Sequence, residues 1–133
     1  MSRIERVTSP EVGEAPPQTW SNCLVVNGIA YVAGTTARGA DMKPLGGDEY
    51  QQSKVIFTKI RHLLEAAGGR MSDIVKLTIF VTDIRQRDQV WAARREFFKG
   101  DFPACSLVQV AALSDPALKV EIEAVAHLGA GTR

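Results

Sequence analysis

The amino-acid sequence predicts an α+β domain in which two helices pack on one face of a mixed β-sheet. Three observations support this fold class: an Asn-Gly hairpin signal, two stretches with apolar residues at helical spacing, and strand-like alternation between and after them. The predicted order of elements is β-β-α-β-α-β-β. The 133 residues suit a single domain over residues 1–133.

The first predicted element is a β-hairpin. Residues 24–26 and 29–32 are short apolar runs on either side of Asn27-Gly28, and this pair readily adopts the positive φ angles of a tight turn. Residues 3–7 could form a further strand, and the sequence pattern leaves this undecided. The glycine-rich, polar segment 34–47 is predicted to be a loop.

The first helix is predicted over residues 48–67, with Asp48 as the N-cap and Gly68-Gly69 as the stop signal. The residues expected on its buried stripe are Ile56, Ile60, Leu63, Leu64 and Ala67.

A strand is predicted over residues 74–82 and a second helix over residues 84–98, ended by Gly100. Trp91 lies about 100° around the helix from its neighbour Val90 on the apolar stripe, so it is expected to face a cleft or another subunit. The strand residues expected to face the core are Val75, Leu77, Ile79 and Val81, and the helix residues are Val90, Ala93 and Phe97.

The last two strands are predicted over residues 106–113 and 118–128, joined as a hairpin by a turn at 114–117. In the final strand the apolar residues alternate with Lys119, Glu121, Glu123 and His127. Apolar groups such as Phe80 and Val125 on the sheet face without helices predict a homo-oligomer.

Composition excludes several classes of function. Sixteen basic and 15 acidic residues give a net charge of +1, which argues against nucleic acid as a partner. No run of about 18 apolar residues predicts a membrane span, and no apolar segment suggests a secretory signal. Cys23 and Cys105 provide no disulfide framework, so a reducing compartment, the cytoplasm, is expected.

The sequence also lacks the motifs of common cofactor sites. It has no glycine-rich phosphate loop and no nucleophile elbow, and neither His62 nor His127 has a partner at zinc spacing. A bound nucleotide and a metal site are therefore not expected.

Two residues are candidates for chemistry from their type alone. Glu121, on the polar face of the last strand, suits a general base, although a solvated strand face or an intersubunit ion pair is the reading that the residues alone favour. Cys105 suits a small buried thiol, and a reactive thiolate would need a nearby cation or helix N-terminus. In a symmetric hairpin these two side chains project to opposite faces and share a cleft only through a bulge or two subunits.

Several motifs, in order and at matching spacing over nearly the whole chain, resemble the Rid family, also called YjgF-like. The motifs are Glu-Ala-Ala-Gly at 65–68, Asp-Ile-Val-Lys at 73–76, Phe-Phe at 97–98, Phe-Pro-Ala-Cys-Ser at 102–106, Val-Gln-Val-Ala at 108–111 and Val-Glu-Ile-Glu-Ala-Val-Ala at 120–126.

The resemblance implies a chorismate-mutase-like fold and a homotrimer with active clefts between subunits. It implies hydrolysis of a reactive enamine or its imine tautomer to a keto acid and ammonia, without metal or cofactor. An arginine would clamp the substrate carboxylate and a glutamate on the last strand, here Glu121, would position or activate water.

The sequence departs from the family pattern at the predicted cleft. Cys105 stands where the family has the clamp arginine, and a neutral thiol cannot replace a fixed positive charge. The other expected cleft residues are Trp20 in place of tyrosine, Ala33 in place of the serine before Gly34, and Trp91 in place of asparagine.

Three hypotheses follow. The favoured one is a deaminase-type hydrolase with altered specificity, whose two tryptophans offer stacking surface to a larger or more planar metabolite and whose Arg38 provides a distant anionic anchor. The alternative is a non-catalytic trimer that binds a small metabolite, the tryptophans then merely sealing the site. Action on nucleic acid is the least favoured, because the charge is nearly neutral.

Overall fold

The computed structural model describes residues 3–131. Six strands form one sheet, and two helices pack on one of its faces, as predicted. The elements are β1 (Glu5–Val7), β2 (Cys23–Val26), β3 (Ile29–Thr36), α1 (Glu49–Ala66), β4 (Ile74–Val81), α2 (Arg87–Arg95), β5 (Ala104–Gln109) and β6 (Val120–His127).

The strand order is β1-β2-β3-β6-β4-β5, with all neighbours antiparallel except β4 and β5. The predicted hairpin between the last two strands is therefore wrong, because β4 lies between them. The turn at Asp115 is present, since its carboxylate accepts a hydrogen bond from the Ala117 amide at 2.8 Å. It forms part of a longer connection that carries the chain across β4.

The first hairpin is confirmed, with φ angles of 53° at Asn27 and 75° at Gly28. The open alternative of an N-terminal strand is also confirmed, as β1 pairs with β2. The predicted loop begins too early, because β3 continues through Gly34 to Thr36. Glycine and threonine there sit in an irregularity of the strand rather than in a turn.

Helix α1 matches its prediction closely. Asp48 caps it in a capping box: its Oδ1 accepts from the Gln51 amide at 2.8 Å, and its own amide donates to Gln51 Oε1 at 2.9 Å. Of the predicted stripe, Ala67 is partly buried and packs on the core, and four residues are fully buried: Ile56, Ile60, Leu63 and Leu64.

Strand β4 differs from its prediction at one residue. Val75 is 43% exposed, whereas Leu77, Ile79 and Val81 are buried as expected. The pairing with β6 shifts between Ile74 and Lys76. This irregularity turns Ile74 inward and Val75 outward, which strict alternation could not foresee.

Helix α2 is shorter than predicted and follows a 3₁₀ turn at Ile84–Gln86. Val90 and Ala93 are buried, and Phe97 packs on α1 with its ring 5.3 Å from that of Phe57.

The buried side chain of Gln52 ties α1 to the connection before β6. It donates to the Gly47 and Ala117 carbonyls at 3.0 Å and accepts from the Lys119 amide at 2.8 Å. These bonds fix the segment that carries Ser114 beside the helix.

The face of the sheet without helices is mixed in character. Tyr31 and Val108 are exposed there, Phe80 and Val125 are half-buried, and polar side chains lie between them. Within residues 3–131, no helix is long and apolar enough to cross a membrane.

Candidate functional site

The candidate site is built around an irregularity in β3. Val32 pairs with Ala124 of β6, and the next pair is Thr35 with Ile122, so Ala33 and Gly34 bulge out of the ladder. The Ala33 amide donates to the Asn22 carbonyl at 2.9 Å, and the Thr35 hydroxyl donates to the Ala33 carbonyl at 2.9 Å. Bulges often lie beside functional sites because they redirect the neighbouring groups.

The bulge makes room for the Glu121 side chain. A Cβ added to Gly34 would collide with the Glu121 carboxylate, reaching its Cδ at 2.8 Å. Glycine therefore allows the carboxylate to approach the backbone closely at this position, where a larger residue would push it away.

Glu121 is half-buried, and burial raises the pKa of its carboxyl above the ordinary value. The nearby charge of Glu123 acts in the same direction. No basic side chain within residues 3–131 lies at ion-pair distance from it. A carboxyl whose pKa is raised holds a proton more readily than an ordinary glutamate, and it can donate that proton and take one back, which is the behaviour of an acid–base catalyst.

Glu121 opens on a cavity of about 530 Å³. The cavity also receives Trp20, Ala33, Gly34 and Arg38, so the structure brings five of the seven predicted site residues together. The rest of the wall is largely apolar and includes Val12, Pro16, Met42 and Leu63.

Arg38 is held by the segments on either side of it. One guanidinium nitrogen donates to the Met42 carbonyl at 2.8 Å and the other to the Ser114 hydroxyl at 3.0 Å. These two hydrogen bonds hold the guanidinium group, and with it a positive charge, in the cavity wall.

Trp20 is 47% exposed and lines the same cavity. Its indole Nε1 donates to Asn22 Oδ1 at 3.2 Å. The side-chain nitrogen of Asn22, Nδ2, donates in turn to the Gly13 carbonyl at 2.9 Å. The ring is oriented through its nitrogen while its faces stay available for stacking.

Lys59 of α1 is a cavity residue that the sequence analysis missed. Its Nζ donates to the backbone carbonyls of Thr36 at 2.8 Å and Arg38 at 3.2 Å. Burial, together with the Arg38 charge, lowers the pKa of this amine to about 8. The available signal was its spacing, three residues after Ile56 and four before Leu63, which places a lysine at the edge of a buried stripe.

The chain matches known proteins in sequence and in overall fold. The model of the endoribonuclease L-PSP family matches residues 12–128. The chain belongs to the endoribonuclease L-PSP family. This is the Rid, or YjgF-like, family that the sequence motifs indicated.

Solved structures of several other proteins superpose on most of the chain. A Pseudomonas aeruginosa protein of unknown function shares 36% identity over 98% of this chain and 96% of its own, with a TM-score of 0.89. The Rid-family protein YyfA of Yersinia pestis shares 31% identity over 95% of this chain and 100% of its own, with a TM-score of 0.89. RidA of an Antarctic Psychrobacter shares 26% identity over 93% of this chain and 99% of its own, with a TM-score of 0.85.

Two of the predicted site residues in this L-PSP family chain, Cys105 and Trp91, lie outside the cavity. Cys105 pairs with the buried Leu77 and so faces the helices, with its Sγ 3.7 Å from the Ser106 carbonyl oxygen. Glu121 pairs with Phe80 and faces the other way. Because β4 separates the two strands, Cys105 and Glu121 do not meet within one chain.

Trp91 lies on α2 and is half-buried, with the Arg87 guanidinium 5.8 Å from the ring centre. This cation–π contact covers one face of the indole. The part of the chain from residue 3 to 131 contains no group of three or more His, Cys, Asp or Glu side chains placed to hold a metal ion.

Proposed function

We propose that this protein is a hydrolytic deaminase of reactive enamine and imine metabolites. The observation that carries the proposal is the Glu121 carboxyl, half-buried without a basic partner over Gly34 in a cavity that a small molecule fits. The net charge of +1 favours a small metabolite over RNA as the ligand.

In the proposed mechanism Glu121 acts first as an acid and then as a base. Its raised pKa favours the protonated carboxyl, and this proton goes to the enamine carbon to give the iminium ion. The carboxylate then removes a proton from water as the oxygen attacks the iminium carbon. Return of that proton to nitrogen makes ammonia the leaving group. As the carbon–nitrogen bond breaks, the Glu121 carboxylate takes the hydroxyl proton, which forms the carbonyl and restores the acid.

We propose that substrate specificity differs from that of arginine-bearing relatives. Cys105 replaces the clamp arginine, so simple 2-aminoacrylate-type substrates are expected to react slowly. Arg38 offers a fixed guanidinium at another point of the wall, and Trp20 offers a ring face. These groups favour a larger, planar, anionic substrate.

The proposal includes a cytoplasmic homotrimer. The sheet face without helices carries exposed Tyr31 and Val108, which support association. In such an assembly Cys105 and Trp91 are proposed to reach a cleft from a neighbouring subunit. The free cysteines Cys23 and Cys105 support a reducing compartment.

The test is hydrolysis of freshly generated imines by metal-free protein, followed as ammonia release. Glu121→Gln is expected to slow hydrolysis by about 10²-fold or more, as loss of a general acid–base group does. Glu123→Gln is the matched control, since Glu123 lies two residues away on the same strand face but outside the cavity. Equal rates for both variants and the unmodified protein would refute the proposal.

A non-catalytic metabolite-binding role is the second candidate, favoured by the exposed Trp20 ring in the cavity. In the Trp91→Phe variant, Trp20 is the only indole and reports on the cavity by fluorescence. Titration with planar carboxylates that changes this fluorescence without any imine hydrolysis would support binding alone. If no planar carboxylate perturbs the signal, both the stacking surface and the binding role are excluded.

A further inference from the structure

Lys59 is a half-buried amine in the cavity wall that the hydrolysis described above does not use. It projects from α1 toward the end of β3, where the Thr36 and Arg38 carbonyls accept hydrogen bonds from its Nζ at 2.8 and 3.2 Å. An exposed lysine would leave its amine mobile and hydrated. These two bonds instead hold the nitrogen at one place in the wall.

The two hydrogen bonds suit the neutral amine as well as the ammonium ion. A neutral amine has two N–H groups and one lone pair. If both N–H groups point at the two carbonyls, the lone pair is left free on the other side of the nitrogen. The deprotonated amine can therefore keep both hydrogen bonds and still have its lone pair available for bond formation.

The surroundings of Lys59 also favour deprotonation. Burial and the Arg38 charge lower the pKa of the amine to about 8. A desolvated lysine beside a second cation is one of the known ways to activate an amine nucleophile. The charged groups around it are Arg38 and Glu121 in the main cavity, and Glu11, Lys54 and His62 in an adjoining cavity of about 350 Å³ that Lys59 also lines.

We propose that Lys59 is a nucleophile that forms a Schiff base with the carbonyl carbon of 2-oxo acids. The neutral amine adds to the carbonyl carbon, and loss of water leaves a carbon–nitrogen double bond to Nζ. With an imine substrate, which rests on the proposed function, the same attack gives a geminal diamine. Ammonia leaves, Nζ keeps the carbon, and water then releases the keto acid and the free amine.

The experiment uses the full chain with pyruvate and sodium cyanoborohydride. The reagent adds hydride to the Schiff-base carbon and leaves a stable secondary amine on the lysine. Intact mass is expected to show one adduct per chain, and peptide mapping is expected to place it on Lys59. Trapping is expected to increase from about pH 7 to about pH 9, because the neutral amine is the reacting form.

Lys59→Arg keeps a cation that can donate to both carbonyls but cannot form a Schiff base, and it should lower trapping by about 10-fold or more. Lys54→Arg is the matched control on the exposed side of the same helix, and it should trap normally. Adducts spread over many lysines, equal trapping in Lys59→Arg, or no adduct at all would overturn the proposal. Mapping on the unmodified protein decides the question even if the variant fails to fold.

Ammonia release separates this inference from the proposed function. Trapping at Lys59 without imine hydrolysis would retain the carbonyl site and reject the deaminase. Hydrolysis without trapping would retain the deaminase and reject the nucleophile.

Discussion

At the scale of single residues, the candidate site depends on the close approach of Gly34 and Glu121. The φ angle of Gly34 is not in the left-handed region, so alanine fits its backbone. We expect Gly34→Ala to displace the carboxylate and to slow imine hydrolysis, and to lower the free energy of unfolding by only about 1 kcal/mol or less, because the Glu121 side chain that must move is flexible. Imine assays and urea denaturation measure the two effects.

Gly28→Ala is the control for this prediction. Gly28 has a φ of +75° and no atom within 4 Å of an added Cβ. Alanine there is expected to cost about 1 kcal/mol through backbone strain and to leave hydrolysis unchanged. Full activity in Gly34→Ala would show that the carboxylate position is not critical.

Glu121 also predicts a pH dependence of stability. Its pKa is raised in the folded state, so the folded protein binds this proton more tightly than the unfolded chain. The contribution is complete below the ordinary carboxyl pKa and is lost as the pH rises through the raised value. Glu121→Gln removes this loss, so its stability relative to the unmodified protein should increase over the pH range that begins at the ordinary carboxyl pKa of about 4.3.

Thermal denaturation of both proteins across that range measures the difference. Glu123→Gln provides the comparison: it removes an exposed carboxyl on the same strand and the smaller cause of the Glu121 shift, so it should weaken the pH dependence only slightly. A stability difference for Glu121→Gln that is constant with pH would contradict the burial argument.

The site residues differ in how far sequence reasoning could place them. Trp20, Arg38 and Glu121 were predicted as site residues from their residue types, their positions in the chain and the family resemblance. The structure brings all three to one cavity. Lys59 was missed because a single lysine at the edge of an apolar stripe usually extends to water. Only the carbonyls of Thr36 and Arg38, which are remote in sequence, show that its amine is held inside.

At the scale of elements, local patterns identified the helices, the first hairpin and the buried face of β6. The capping residue Asp48 was predictable because N-cap chemistry is local. The parallel pairing of β5 with β4 was not, since two strands joined by a short turn normally suggest a hairpin. Long-range pairing and bulges, such as the one that exposes Val75, depend on tertiary contacts that periodicity does not contain.

The capping box of α1 supports a prediction at this scale. We expect Asp48→Ala to lower the free energy of unfolding by about 1 kcal/mol, because the Gln51 amide loses its acceptor. Asp48→Asn is the matched control, since asparagine caps helices about as well. Chemical denaturation of the pair measures the effect, and equal stability of the two variants would exclude a capping role.

At the scale of the whole molecule, the helices cover one face of the sheet and leave the other available. Tyr31 and Val108 are 46% and 45% exposed on that open face. Phe80 pairs with Val108 and Val125 pairs with Tyr31, so the apolar groups lie in adjacent strands rather than singly. This arrangement is consistent with a surface that contacts other subunits.

We expect light scattering at micromolar concentration to give the mass of a homotrimer. Val108→Asp should shift the mass toward the monomer, because a charge buried in an apolar interface is strongly unfavourable. Leu45→Asp is the control: Leu45 is 59% exposed but lies in the loop beside α1, away from the open face. Circular dichroism checks that both variants fold. Folding is expected because Val108 and Leu45 are both exposed in the single chain.

A monomer mass for the unmodified chain, or equal dissociation by the control variant, would mean that the open face does not hold subunits together. The clefts to which Cys105 and Trp91 are assigned would then have no second wall.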